Sequence, residues 1–343
     1  MPSSLTIAGQ KIKPGTRQRL QIALPKLYDF TDMTMPVEVI RGKEDGPVMF
    51  LSAALHGDEI NGVEIVRQIL MKKAMKSLKG TLIAVPIVNV YGFNAKSRYL
   101  PDRRDLNRNF PGGSTGSLTA QLAHIFMTEI VEKCTHGVDL HCAAINRVNL
   151  PQIRACLEDS TVEQMARAFG APVILDNGLR PGSLRETAHG RGIPIILFEG
   201  GEALRFNEKV IKSGVNGVIS VMRSIGMLKS VMAPKIKNDR FVAKSSHWIR
   251  ASNSGIVSMK KKLGQRVKKG QLMAVISDPL GQDRFEMRAR RSGIIIGAAT
   301  LPLLNRGDAV FHVATFDDAE AVEEHLDMYE DAFEVEDNSR FIY

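Results

Sequence analysis

The sequence of 343 residues predicts an α/β fold, a mostly parallel or mixed sheet flanked by helices, followed by a smaller all-β module. In residues 1–228, short apolar runs alternate with segments whose apolar residues recur at helical spacing, which is typical of an α/β domain. In residues 229–316, helical periodicity fades, and short apolar runs are separated by glycines and charged turns. Residues 317–343 read as an acidic C-terminal tail, with eleven acidic residues and one arginine.

The first part predicts an ordered series of elements after a lead-in of one or two strands before about Val37. Two of its helix starts have the form of capping boxes, Ser160-x-x-Glu163 and Ser183-x-x-Glu186. Predicted strands begin near Val48, Thr81, Val138, Pro172 and Ile193, and predicted helices begin near Asn61, Leu118, Ser160, Ser183 and Asn207.

The second part contains a weak internal repeat. Ser254-Gly255-Ile256-Val257 is echoed by Ser292-Gly293-Ile294-Ile295, in a pattern that resembles the biotinyl/lipoyl-carrier barrel, a flattened β-sandwich of two such halves. In that fold the carrier lysine lies on the hairpin between the halves. The corresponding stretch, 277–283, has no lysine. We therefore expect a barrel-sandwich-like module without a covalently carried cofactor, serving in structure or in homo-oligomer formation.

The positive net charge of the chain does not by itself indicate a nucleic-acid partner. The chain carries 46 basic and 37 acidic residues, a net charge of +9. Its basic residues are scattered, and no aromatic-interleaved binding motif accompanies them, so a nucleic-acid partner is not expected. Such binding would be steeply salt-sensitive. The charge indicates a mild preference for small anionic ligands.

The three cysteines, Cys134, Cys142 and Cys156, are odd in number and lack CxxC spacing, which argues against a disulfide framework. The N-terminus lacks a basic segment followed by an apolar one, so no secretory signal is evident. No apolar run is long enough to span a bilayer. The expectation is a cytoplasmic protein with no membrane partner.

Three residues form a candidate metal site. An apolar run at 48–54 leads into His56 and Glu59, and a helical pattern begins at Asn61. A second apolar run ends at His141, so all three side chains are expected at one edge of the sheet. Two imidazoles and one carboxylate suit catalytic zinc, which keeps a fourth position for water. A histidine and a glutamate three apart also occur often by chance, so the prediction depends on further motifs.

The most specific stretch runs from Arg98 to Gly112 and contains Arg-Asp-Leu-Asn-Arg-Asn-Phe-Pro-Gly. His56-x-x-Glu59, then this stretch, then His141 are similar in order to the motifs of the zinc-carboxypeptidase superfamily. The form of the stretch and the C-terminal module more narrowly resemble the succinylglutamate desuccinylase/aspartoacylase family. The resemblance covers about residues 37–314.

This resemblance implies hydrolysis of N-acyl amino acids at one zinc ion per chain. It implies His56, Glu59 and His141 as the zinc ligands. It also implies that Asn107 and Arg108 grip the carboxylate of the substrate, a task for which a guanidinium fork is well suited.

Two further arginines stay open at this point. Arg98 matches the family's arginine that polarises the scissile carbonyl, but Arg104 is an alternative because the intervening segment differs in length. The alternative for these arginines, Arg98 and Arg108 included, is a solvated loop. Arg185 could add another carboxylate contact or be a surface charge on the helix that begins at Ser183.

A general base is also required. Glu199 directly follows the strongest apolar run and matches the family's catalytic glutamate, whereas Glu202 is a rival with a structural or rim position. A glutamate beside a metal-bound water can accept its proton and deliver it to the leaving amine. No motif selects an assisting tyrosine, although Tyr99 is near in sequence.

The sequence thus predicts a zinc-dependent amidohydrolase that deacylates an N-acyl amino acid or a related small N-acyl amine. The alternative is a zinc carboxypeptidase acting on peptide C-termini, with the same ligands and base. A non-catalytic scaffold would require a missing key residue, and none is missing. The acyl group and the amine are not identified by the sequence.

Overall fold

The computed structural model describes residues 5–230 and 242–334. The start of the lead-in, part of the predicted junction between the two modules, and the end of the acidic tail lie outside these residues. Nineteen strands and seven α-helices are found in the described chain, and none of these helices is long and apolar enough to cross a membrane.

The strands are β1 Leu5–Ile7, β2 Gln10–Ile12, β3 Arg17–Leu24, β4 Met33–Arg41, β5 Val48–Ala53, β6 Thr81–Val85, β7 His136–Ala143, β8 Arg147–Ala155, β9 Val173–Asp176, β10 Ile195–Glu202, β11 Val242–Ala243, β12 Ser245–Arg250, β13 Gly255–Met259, β14 Arg266–Val267, β15 Leu272–Ser277, β16 Arg284–Arg288, β17 Gly293–Ala299, β18 Leu303–Leu304 and β19 Ala309–Thr315. The helices are α1 Asn61–Met71, α2 Val90–Asn94, α3 Leu118–Glu129, α4 Ser160–Phe169, α5 Leu184–Gly190, α6 Glu208–Ser224 and α7 Ala319–Glu334.

One large mixed sheet organises the fold, in the strand order β12-β19-β17-β8-β10-β7-β5-β6-β4-β3. Its centre is parallel, since β10 pairs with β7, β7 with β5, and β5 with β6 in parallel. Antiparallel strands flank this centre, with β8 beside β10 and β4 beside β6. The predicted α/β fold with a mixed sheet is confirmed.

Hydrophobic layers cover both faces of the sheet. Successive side chains of a strand point to opposite faces, and β5 illustrates this: Leu51 packs with α1, α4 and α6, whereas Phe50 packs with α3 and α5. Both side chains are fully buried. The sheet therefore lies between two helical layers. Polar side chains lie at the carboxyl ends of its central strands.

The helix starts agree with the capping signals in one of two cases. Ser183 caps α5, since its hydroxyl accepts a hydrogen bond from the N–H of Glu186. The cap of α4 is Asp159 rather than Ser160, because the Asp159 carboxylate accepts from the N–H groups of Thr161 and Val162. An acidic side chain at this position also complements the helix dipole.

Strand β8 has no counterpart in the sequence-based prediction. It contains Pro151 and several polar residues, which usually argue against a central strand. It nevertheless lies inside the large sheet, between β10 and β17.

The C-terminal β strands form two layers around a common core that includes Phe311 and Met273. One layer is the four-stranded sheet β16-β15-β13-β18, whereas β12, β14, β17 and β19 continue the large sheet. β17 pairs with β8, so backbone hydrogen bonds join this region to the α/β part. The acidic segment begins with α7, which buries Val322 and Leu326 against the same strands.

Candidate active site

The candidate site lies at the carboxyl edge of the central strands. His56 and Glu59 occupy the turn between β5 and α1, and His141 lies near the end of β7. Glu199 is the direct neighbour of His141 across the β7–β10 pair. Paired residues of adjacent strands point to the same face of a sheet, so Glu199 and His141 share one face.

The three predicted metal ligands meet as a compact buried group. The Nδ1 atoms of His56 and His141 lie 2.6 and 2.7 Å from the two carboxylate oxygens of Glu59. One ligand atom from each residue can be chosen such that all lie within 4.8 Å of one another. All three side chains are almost completely shielded from solvent. The trio could therefore hold a single metal ion.

Electrostatics in this group are strongly coupled. Burial opposes ionisation of Glu59, but the two imidazoles outweigh it and hold the pKa of that carboxyl well below its ordinary value. Burial likewise disfavours the charged form of both histidines. Asp139 and Glu59 nevertheless raise the pKa of His141, and Glu59 and Asp105 raise that of His56.

A second carboxylate supports each histidine from behind. Nε2 of His56 lies 3.0 Å from Asp105, and Nε2 of His141 lies 2.7 Å from Asp139. Asp139 in turn accepts a hydrogen bond from Ser52 at 2.7 Å. Metal-binding histidines usually direct their second nitrogen to such a group, which fixes the ring and raises its basicity. The donor set and its supports therefore fit a metal ion.

Arg98 lies beside the His-Glu-His group. Its guanidinium donates to Glu59 at 3.2 Å and to Asp105 at 3.0 Å. Arg104 is exposed, and its backbone N–H donates to Asp102 at 3.3 Å. Of the two candidates for the carbonyl-polarising arginine, the structure thus brings Arg98 to the site and leaves Arg104 on the loop surface.

Asn107 and Arg108 lie in a short 3₁₀ turn of the same loop. Asn107 is buried, and its side-chain oxygen accepts the N–H of Leu184 at 2.9 Å, so it anchors the loop to the start of α5. Arg108 is exposed; burial lowers the pKa of its guanidinium, Asp105 opposes this, and the charges of Arg180 and Arg98 add to the lowering. Because the side-chain oxygen of Asn107 is used in this way, its side-chain nitrogen is the atom that could contact a substrate.

Arg185 is buried, so the alternative of a surface charge on the helix is wrong. Burial, followed by repulsion from Arg154, lowers its pKa to about 10. Nη2 donates weakly to the carbonyl of Gly178 at 3.4 Å, and Nη1 has no hydrogen-bond partner within the described residues. A buried guanidinium without a full set of partners has donors left for an anion.

The two candidate bases have different surroundings. Glu199 accepts hydrogen bonds from Asn149, at 2.7 Å, and from Arg154. Glu202 accepts from the N–H of Asn146 at 3.1 Å and from the hydroxyl of Thr300 at 3.0 Å. Glu202 thus joins the β7–β8 turn to the C-terminal strands, which agrees with a rim position.

Sequence reasoning missed four polar partners of these residues. Asp105 stood within the quoted loop and Asp139 two residues before His141, so both could have been proposed as supports. Asn149 and Arg154 belong to the strand that was not predicted, and no local motif marks them. All four contact a side chain that was predicted.

Comparison with solved structures identifies the fold. The chain superposes with a TM-score of 0.78 on a succinylglutamate desuccinylase/aspartoacylase from Rhodobacter sphaeroides, at 23% identity, with 88% of this chain and 96% of that chain covered. It superposes with a TM-score of 0.77 on the product-bound ectoine utilization protein EutE (DoeB) from Ruegeria pomeroyi, at 26% identity, covering 87% and 95%.

A sequence profile of the succinylglutamate desuccinylase/aspartoacylase catalytic domain matches residues 45–225, more than half of the chain. The chain belongs to that family, whose members are hydrolases acting on amide bonds. A curated relative is the N-alpha-acetyl-L-2,4-diaminobutyric acid deacetylase of Halomonas elongata. It is 27% identical over 294 residues, which are 82% of this chain and 85% of the relative.

Proposed function

We propose that the protein is a zinc-dependent deacylase that hydrolyses the amide bond of an N-acyl amino acid. One observation carries the proposal: the buried group of His56, Glu59 and His141 lies directly beside a strand-paired glutamate, Glu199. This is the combination that hydrolysis by an activated water requires. Zinc, when bound by the three residues, lowers the pKa of a coordinated water to about 7 and polarises the acyl carbonyl.

The chain's own residues supply the remaining chemistry. Glu199 is the general base, which takes a proton from the attacking water and returns it to the nitrogen of the leaving amine. Arg98 stabilises the negative charge that develops on the carbonyl oxygen. Asp105 and Glu59 hold the Arg98 guanidinium in place through hydrogen bonds.

The cationic surroundings support an amino-acid substrate with a free carboxylate. Arg108 is exposed at the loop, and Arg185 is buried with one nitrogen unpartnered among the described residues. Guanidinium groups bind carboxylates in a bidentate manner, which fixes orientation as well as charge. The relative from Halomonas elongata, a deacetylase of an N-acetyl amino acid, supports an acetyl group as the first to be tested.

The test is release of free amine from a panel of N-acetyl and N-succinyl amino acids, including N-alpha-acetyl-diaminobutyric acid, by zinc-loaded protein. We expect turnover of at least one N-acyl amino acid and its loss in Glu199→Gln by a factor of about 10² to 10⁴. Glu202→Gln is the matched control, because it changes the rival glutamate three residues along the same strand. This control keeps turnover.

The outcomes separate the alternatives. Loss of turnover in Glu202→Gln but not in Glu199→Gln would reassign the base. Turnover of peptides with free C-termini, and of no N-acyl amino acid, would favour the carboxypeptidase. A protein that binds no zinc under any loading condition would contradict the proposal at its first step.

A further inference from the structure

Among the described residues, the hydrogen bonds to the carboxylate of Glu199 come from β8. Asn149 donates to Oε1 at 2.7 Å, and Arg154 donates to Oε2. Asn149 is itself buried. A general base works only within a narrow range of positions relative to the proton that it accepts, so the residues that fix this carboxylate matter for the rate.

Strand β8 connects the base to the C-terminal β strands. Asn149 pairs across the sheet with Gly201 of β10 on one side and with Gly297 of β17 on the other. The residue that holds Glu199 therefore lies at the seam between the α/β part and the C-terminal strands.

The seam has no room for a side chain at position 297, where the residue is glycine. A methyl group added to Gly297 would lie 2.6 Å from Oδ1 of Asn149 and 3.2 Å from Cβ of His312. Real side chains do not approach to 2.6 Å, so the carboxamide of Asn149 would have to move. Because its other end donates to Glu199, such a movement would reach the carboxylate.

The same seam is fixed by an aromatic stack. Trp248 of β12 stacks on His312 with ring centroids 4.5 Å apart and an interplanar angle of 8°. The guanidinium of Arg147, in β8, lies 5.4 Å from the centroid of the Trp248 ring. The C-terminal strands therefore contact β8 at two neighbouring positions: the Trp248 ring contacts Arg147, and Gly297 pairs with Asn149.

We propose that the C-terminal β strands position the general base: Asn149 is a positioning residue for Glu199, and Gly297 leaves the space that its carboxamide needs. This rests on the proposed function, in which Glu199 is the base. It gives the C-terminal strands a role in the rate of the reaction, beyond structure or association.

The test is a double-mutant cycle on kcat with Asn149→Ala and Gly297→Ala. We expect Asn149→Ala to lower kcat by about 10- to 100-fold with little change in KM, and Gly297→Ala to lower kcat in the same direction. In the Asn149→Ala background the added methyl has room, so Gly297→Ala should cause no further loss. Multiplying effects, or an unchanged kcat in Asn149→Ala, would overturn the inference.

Two controls exclude a general loss of structure. Val148→Ala truncates the neighbouring residue of β8, which points to the opposite face, and should leave kcat unchanged. Trp248 is the only tryptophan of the chain, so its fluorescence reports the seam, and its emission should be unchanged in Asn149→Ala and Val148→Ala.

Crystal structures of the two single variants give a readout independent of activity. We expect the Glu199 carboxylate to leave its position while the backbone of β8 and β10 stays in place. A carboxylate that does not move in either variant contradicts the inference, even if the enzyme proves active. Wild-type protein without turnover contradicts the proposed function alone, since the carboxylate position is still measured.

Discussion

Nε2 of His56 lies 3.0 Å from Oδ1 of Asp105, although 49 residues separate them. The contact closes the loop that follows β6 onto the turn that follows β5. Asp105 also binds Arg98, so one carboxylate supports a candidate metal ligand and a candidate oxyanion-stabilising group together. His141 likewise has an outer carboxylate, that of Asp139 at 2.7 Å.

Replacement of Asp105 by Asn should therefore weaken the metal site. The variant removes the negative charge that orients His56 and holds Arg98, and we expect zinc affinity to fall by about 10- to 100-fold. Competition with a chromophoric chelator measures this. Asp102→Asn is the matched control, because Asp102 lies in the same loop but binds Thr119 at the start of α3. Equal affinities in both variants would contradict the supporting role of Asp105.

Zinc binding should release protons, and should tighten as the pH rises. Burial lowers the pKa values of His56 and His141, but the neighbouring carboxylates outweigh it and raise both; the protonated imidazoles are therefore favoured, and each must lose its proton to bind metal. Isothermal titration at pH 7 in two buffers of different ionisation enthalpy counts the protons. The expected result is net proton release that disappears in His141→Ala together with binding. Zinc binding without proton release would contradict the raised pKa values of the two imidazoles.

The sequence located His56, His141 and Glu199 because the end of a buried strand can be recognised from an apolar run. Each of His56, His141 and Glu199 follows an apolar run, and residues at the carboxyl ends of parallel strands meet at one edge. The hydrogen-bond partners of Glu199 could not be predicted from the sequence. Asn149 and Arg154 lie on β8, whose apolar pattern is interrupted by Pro151, and their partner is distant in sequence.

The burial of Arg185 could not be predicted from the sequence either. The sequence allowed either a substrate contact or a surface charge, because a short amphipathic helix has no fixed depth until it packs. The structure buries Arg185 within α5, where the charges of Arg154 and Glu199 act on it. Burial was decided by tertiary packing, which no local pattern records.

The variant Arg185→Met should stabilise the protein and impair substrate binding. It removes a buried charge without a full set of partners, and we expect the free energy of unfolding to rise by roughly 1–3 kcal/mol. KM for an N-acyl amino acid should rise at the same time. Urea unfolding and steady-state kinetics measure the two effects. Arg180→Met is the control, since Arg180 is exposed and should change stability by less than about 0.5 kcal/mol. A loss of stability in Arg185→Met would mean that this guanidinium is compensated.

His312 should make the protein less stable as the pH falls below neutrality. Burial, followed by repulsion from Arg154 and His247, lowers its pKa from 6.5 to about 3. The unfolded chain takes up a proton as the pH falls through 6.5, whereas the native protein does not. This contribution to stability is therefore complete above pH 6.5. It is lost towards acid pH at about 1.4 kcal/mol per pH unit.

The variant His312→Gln isolates this contribution. Its free energy of unfolding, measured in urea at several values between pH 6.5 and 5, should fall less steeply than that of the wild type. Loss of the stack with Trp248 lowers stability at every pH, so the slope is the quantity that decides. The NMR chemical shift of the His312 ring should stay that of a neutral imidazole throughout this range. Equal slopes, or a ring that titrates near pH 6.5, would show that the seam admits the charged form and is less closed than the stacking of Trp248 on His312 indicates.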